Sequence, residues 1–142
     1  MQYWDTSTLL KLYVPEMDST QFAARLAEPI YTSELARWEL LRAMARKEME
    51  QAIAPLAAET TFNRFLFDVS LGRVVLLPVT PEVEARFRSL VLQLHRRTPA
   101  VVIRTFDAIH IASADLLAAT EVVTTDPRMR AGATAIGLKL YP

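Results

Sequence analysis

Residues 1–12 read MQYWDTSTLLKL. Gln2-Tyr3-Trp4 is short, aromatic and free of turn residues, which suits a strand buried in a parallel sheet. Asp5 ends it, Thr6-Ser7 follow, and Leu9, Leu10, Leu12 and Tyr13 then recur at helical spacing. A carboxylate where a strand hands over to a helix stands at the edge where open α/β sheets bind ligands. Asp is also a favoured N-cap residue, so Asp5 alone fits either role. Whether other acids reach the same edge decides between them.

Downstream, Pro15 breaks the first helix, and Asp18 with Gln21 three residues on has the form of a capping box opening STQFAARLA. Pro29 ends that helix. Ile30-Tyr31 reads as a second strand, and Thr32-Ser33 as a turn and N-cap. A long helix follows through LARWELLRAMARKEMEQAIA, with Leu35, Trp38, Leu41, Met44 and Ala45 as its core-facing stripe. Pro55 opens another helix, lined by Leu56, Phe62, Phe65, Leu66 and Val69 and stopped by Gly72. Arg73 to Val79 is a third strand. Thr80-Pro81 open a helix carrying Val83, Phe87, Leu90, Val91 and Leu94 and closing on His95-Arg96-Arg97, cations suited to its negative end. The apolar helix FDAIHIASADLLAA follows Thr105, residues 121–125 form a fourth strand, Pro127 starts a short helix, and residues 137–141 form the last strand. Strands alternating with helices predict an α/β fold, a parallel sheet of about five strands between two helical layers.

A chain of 142 residues suits one domain spanning 1–142, large enough for a sizeable core. Cys is absent, which excludes disulfides and thiolate metal sites and is compatible with a reducing cytoplasm. No secretory leader precedes the first strand, and no apolar run approaches the roughly 20 residues that span a bilayer. The expectation is a cytoplasmic protein with no membrane partner. Sixteen basic residues balance sixteen acidic ones, so any grip on nucleic acid must come from local patches or a bound cation.

Three further acids join Asp5. Asp126 ends the fourth strand, although Asp followed by Pro is also an ordinary helix opening. Asp107 lies in the first turn of a helix that is apolar nearly all round. An acid there favours the helix dipole, and a buried one needs a partner. Glu39 lies six residues past Ser33, about 9 Å along its helix, between Trp38 and Leu40-Leu41; exposed pairing with Arg42 or Lys47 is its plain alternative. A crossover helix runs opposite to the strands, so its N-terminus sits at their C-terminal edge and all four acids reach one rim. Two carboxylates about 5 Å apart repel by roughly 3 kcal/mol at an effective dielectric of 20. Four of them call for positive charge, and hard oxygens without Cys or a spaced His pair favour Mg²⁺ or Mn²⁺ over Zn²⁺. Such a site suggests hydrolysis or transfer at phosphorus.

The segments YWDTSTLLKLYVPE, TSELARWELLRA, RTFDAIHIASA and VVTTDPRMRAGA, taken together and in this order, resemble PIN-domain proteins, in particular VapC-type toxin ribonucleases of bacterial toxin–antitoxin pairs. The resemblance implies a PIN-like α/β/α fold in which Asp5, Glu39, Asp107 and Asp126 hold one or two Mg²⁺ or Mn²⁺ ions. It places Thr124 beside the metal water, and implies a homodimer held inactive by a cognate antitoxin lying over the site. The neutral charge and the Pro after Asp126, where relatives often carry Lys or Arg, depart from the family pattern.

The expected activity is metal-dependent endonucleolytic cleavage of RNA, with Asp5 and Asp107 as principal ligands. Water attack leaves a 5′-phosphate and a 3′-hydroxyl. Arg96, Arg97, Arg104, Arg128, Arg130 and Lys11 are candidate phosphate contacts, each also readable as surface charge. His110 shares a helix face with Asp107 and reads as a supporting or packing residue, His95 as solvated, and Trp4 and Trp38 as core. The rival reading is an inactive PIN-like module that binds RNA or protein. A phosphatase is disfavoured because Ser7 stands where its second Asp belongs.

Overall fold

The computed structural model describes residues 1–27 and 29–142. Five strands, β1 (Gln2–Trp4), β2 (Ile30–Ser33), β3 (Val74–Leu77), β4 (Glu121–Val123) and β5 (Leu140–Tyr141), form one parallel sheet in the order β3-β2-β1-β4-β5. Every pairing is parallel, with Tyr3 opposite Tyr31 on one side and Val122 on the other. Helices α1 (Thr6–Leu10), α2 (Ser19–Arg25), α3 (Ala36–Met49) and α4 (Ala57–Ser70) precede β3; α5 (Pro81–His95), α6 (Thr105–Leu116) and α7 (Pro127–Ala135) follow it.

Side-chain alternation along the central strands divides the core into two halves. Trp4 and Val123 point into one cluster with Leu9, Phe22, Leu40, Met44 and Phe65, under α1 to α4. Tyr3 and Val122 point into the other with Leu90, Leu94, Ile111 and Met129, under α5 to α7. The central strands are therefore buried on both faces, which explains why Tyr3-Trp4 and Val122-Val123 show no polar alternation. Each fully buried large side chain contributes about 2 kcal/mol of apolar transfer. The predicted three-layer α/β/α architecture is what forms.

The strand order has a functional consequence. From β1 the chain builds outward to β2 and β3, then returns to β4 on the other side of β1. The connections diverge between β1 and β4, leaving a crevice at the carboxyl ends of those two strands. Asp5 follows β1 and Asp126 lies three residues beyond the end of β4. Both acids bracket the crevice.

Several local expectations are corrected. The buried stripe of α3 is Ala36, Leu40 and Met44, whereas Trp38 is 65% and Leu41 42% exposed and Ala45 also faces solvent. The helix carries two apolar stripes, and packing against α1 and α4 selects the one through Leu40. Trp38 is thus a surface residue; Trp4 is core, as expected, and His95 is exposed. Thr32 and Ser33 belong to β2, with the Ser33 hydroxyl accepting from the Leu35 amide. Asp18 makes no side-chain cap; its carboxylate goes to Lys11, while the Ser19 hydroxyl accepts from the Glu16 amide. Leu56, with φ +64°, precedes α4 and is exposed, and the third and fourth strands are shorter than their apolar runs. Gly72, with φ +72°, ends α4 as its position predicts, because only glycine takes that left-handed turn without strain.

Candidate active site

Asp5, Glu39, Asp107 and Asp126 line one pocket of about 570 Å³ at the crevice between β1 and β4. Four acids separated by up to 121 residues of chain meet there because two follow central strands and two sit in the first turns of α3 and α6. Glu39 is closer to its helix start than its distance from Ser33 suggests, since α3 begins at Ala36.

Each carboxylate is held differently. Asp5 is buried, and its Oδ2 accepts from the hydroxyls of Ser7 and Thr124 (3.0 Å) rather than capping α1. Thr124 also accepts from the Asp126 amide at 3.1 Å, so one buried hydroxyl couples the ends of β1 and β4. Asp126 does cap α7: its Oδ1 accepts from the Arg128 and Met129 amides at 2.8 and 3.1 Å. Its Oδ2 remains turned to the Arg104 guanidinium, at 3.3 Å.

Glu39 belongs to a buried relay. Its Oε2 accepts from the Thr6 hydroxyl at 2.6 Å and from His110 Nε2 at 2.8 Å, and the other His110 nitrogen meets the Tyr3 hydroxyl at 2.7 Å. Burial alone would raise the Glu39 pKa, but the bonds from His110 and Thr6 and the His110 charge bring it below the ordinary value. The exposed pairing with Arg42 or Lys47 does not occur. Burial likewise pulls His110 down, yet the Glu39 bond and the charges of Asp5, Glu39 and Asp107 leave its pKa raised.

Asp107 is the least satisfied member. Its Oδ2 is buried without a hydrogen-bond partner; the nearest cation, Arg104 Nε, stands 3.5 Å away. Burial raises its pKa most, and the charges of Asp126 and Asp5 add to the rise against the opposing pull of Arg104 and His110. Arg104 therefore lies between two acids as their counter-charge. Among the described residues no three His, Asp or Glu side chains are grouped closely enough to hold a metal ion as they stand. The chemistry of the donors still suits a hard cation: four acid side chains on one pocket, one of them with a buried oxygen that accepts no hydrogen bond.

The phosphate-contact candidates separate sharply. Only Lys11 lines the pocket, where it pairs with Glu16 and Asp18. Arg97 donates to the Ala135 carbonyl and Arg130 to the Thr124 carbonyl, both as structural ties. Arg96 and Arg128 are exposed and outside the pocket lining. Glu16, Arg42 and Phe106 are among the lining residues that had no place among the sequence candidates, as are Thr6 and Ser7, whose hydroxyls hold Glu39 and Asp5. Arg42 and Phe106 were signalled, three residues after Glu39 and one before Asp107.

An acid-rimmed crevice at the switch point of an order 3-2-1-4-5 parallel sheet defines an α/β protein of the open-sheet class. The profile of the PIN domain matches residues 3–134. This chain belongs to the PIN-domain family. It is similar to two proteins of Mycobacterium tuberculosis. Ribonuclease VapC47 of strain CDC 1551 / Oshkosh is 30% identical over 145 residues, covering 96% of this chain and 93% of the relative. Ribonuclease VapC46 of strain H37Rv is 32% identical over 146 residues, covering 96% and 92%. Among solved structures, FitAcB from Neisseria gonorrhoeae superposes with a TM-score of 0.72 at 18% identity, over 100% of this chain and 97% of the other. A toxin–antitoxin complex from Klebsiella pneumoniae gives 0.66 at 15% identity, over 100% and 97%. These two likenesses establish the fold. No helix among the described residues is long and apolar enough to cross a membrane.

Proposed function

We propose that the chain is a Mg²⁺- or Mn²⁺-dependent endoribonuclease, the toxin of a toxin–antitoxin pair, working in the cytoplasm as a homodimer and restrained by a cognate antitoxin. The observation that carries the reading is Asp107, with one oxygen buried and without a hydrogen-bond donor, lining a pocket shared with Asp5, Glu39 and Asp126. The ribonuclease names of the relatives support RNA as substrate, and the toxin–antitoxin likeness supports the partner.

Asp5, Glu39, Asp107 and Asp126 would hold the ion, which when bound neutralises charge at the phosphate and makes water a competent nucleophile at neutral pH. The rest is done by the chain. Ser7 and Thr124 fix the Asp5 carboxylate, and Thr6 and His110 fix Glu39. Arg42, without an ion-pair partner among the described residues, places positive charge on the pocket wall for the RNA backbone, whereas Lys11 is held by Glu16 and Asp18. No side chain has to remove a proton from the ribose, so cleavage leaves a 5′-phosphate.

Purified protein with Mg²⁺ is expected to cut unstructured RNA to 5′-phosphate products. EDTA should abolish cutting and Mn²⁺ restore it; metal-independent or absent cleavage would refute the reading. A second reading draws on the lack of a ready-made metal cluster: a PIN-like module that binds without cutting. Such a module would show no Asp107-dependent uptake of Mn²⁺ in calorimetry.

Arg104 supplies a sharper check. Its side chain is 59% exposed, so Arg104→Gln should change stability by less than about 1 kcal/mol. Removing the cation that sits beside Asp107 and Asp126 should tighten Mn²⁺ binding by about tenfold, since a like charge no longer competes at those oxygens. Unchanged affinity in calorimetry would show that Arg104 and the ion do not compete.

A further inference from the structure

The acids and cations of the pocket leave Phe106 without a role. Along α6 the residues Ala108, His110, Ile111, Ala112, Ser113 and Ala114 are buried, as befits a central helix. Phe106 precedes them in the first turn, is 51% exposed and lines the pocket beside Asp107. Leaving an aromatic ring in water forgoes part of the stabilisation that burial would supply. Leu10 and Ala43 extend the apolar wall, and Arg42 stands on it with no ion-pair partner among the described residues. A planar apolar face, an uncommitted guanidinium and a group of acids in about 570 Å³ match three parts of an RNA strand: a base, a neighbouring phosphate and the scissile phosphate.

The geometry points to Phe106 as a specificity-determining residue: its ring is the stacking platform for an unpaired base beside the scissile phosphate, with Arg42 taking a neighbouring phosphate. The inference rests on the ribonuclease reading and narrows its substrate. A base inside a duplex keeps both faces on its neighbours, whereas a splayed base in a loop or single strand can lie on a ring. Stacking of this kind is tolerant of base identity, so Phe106 selects for unpaired structure ahead of sequence.

Steady-state cleavage in Mg²⁺ tests it, with an unstructured oligoribonucleotide of about 12 nucleotides and a matched oligomer abasic at the cleavage position. Phe106→Ala should raise KM for the intact oligomer about tenfold with kcat nearly unchanged, and Phe106→Trp should restore wild-type KM. On the abasic oligomer wild type and Phe106→Ala should perform alike, a convergence that general disturbance of the fold would not produce. The same contrast should appear as binding affinity, read by fluorescence anisotropy in an Asp107→Asn background. An unchanged KM, or an equal penalty on the abasic oligomer, overturns the stacking role. So does a variant that handles RNA normally but loses affinity for a protein partner. Wild type that neither binds nor cuts RNA removes the ribonuclease reading and this subsite together; normal cleavage with an indifferent Phe106 removes only the subsite.

Discussion

Asp107→Asn should lower RNA cleavage by about a thousandfold while leaving the thermal midpoint unchanged or higher. The two effects come from one cause. Asp107 is held with a buried oxygen that accepts no hydrogen bond and with Asp126 and Asp5 as like-charged neighbours that outweigh Arg104, so its ionised form costs folding energy. The amide is nearly the same shape and carries no charge. Activity falls because charge stabilisation by a bound ion is worth several kcal/mol in the transition state, and a thousandfold is about 4 kcal/mol. The raised pKa sets the sign of the pH dependence. The cost of ionisation is fully present above the folded-state pKa and disappears as pH falls towards the ordinary carboxylate range, so the variant's advantage should be greatest near neutrality and vanish in acid. Calorimetric melts and cleavage assays on the same preparations decide it. A variant that cuts RNA at the wild-type rate, or melts well below wild type, would show that Asp107 is a structural acid. Expression in bacteria offers a parallel readout: wild type should arrest growth and Asp107→Asn should not.

His110→Ala should be the most destabilising single change at the site, by about 3 kcal/mol, or roughly 10 °C in midpoint. The imidazole is 1% exposed and joins Glu39 to the Tyr3 hydroxyl, so its removal leaves a cavity, a buried hydroxyl and a half-supported carboxylate. Tyr3 cannot compensate by ionising, because burial and the charge of Asp5 push its pKa well up. Since the His110 pKa is raised on folding, the stabilisation of the metal-free protein is complete below the ordinary imidazole value of about 6.5 and is lost as pH rises through the folded value. His110→Gln should keep some of the hydrogen bonding and lose this pH dependence. Denaturant titrations at several pH values measure both. A wild-type stability that is flat or rising through the same interval would mean that the imidazole is neutral in the fold.

Much of this was readable from residue order because the signals were local. Strands of two to four residues alternate with helices and carry no polar face, which only a sheet covered on both sides explains. Asp5 and Asp126 follow strands, and Asp107 and Glu39 open helices, so chain direction alone sends all four to one edge. What eluded that reading depended on which faces met. The α3 helix has two apolar stripes of similar strength, and packing chose Leu40 over Trp38. Glu39 has Arg42 one turn and Lys47 two turns along its own helix, yet its partners come from α1 and α6, Thr6 and His110, with Tyr3 of β1 bonded to the far side of the imidazole.

The order of residues by itself determined the α/β class, the sheet covered on both faces and the set of four acids, because helical and strand periodicity and the polarity of the chain are properties of neighbours. Only the tertiary structure decided the electrostatic state of those acids: Arg104 set between Asp107 and Asp126, Thr124 binding Asp5 to the end of β4, and the His110 pKa raised by carboxylates drawn from both halves of the chain. Coulomb energy and desolvation depend on distance through space, and residues 5, 39, 107 and 126 become neighbours only when the sheet has formed.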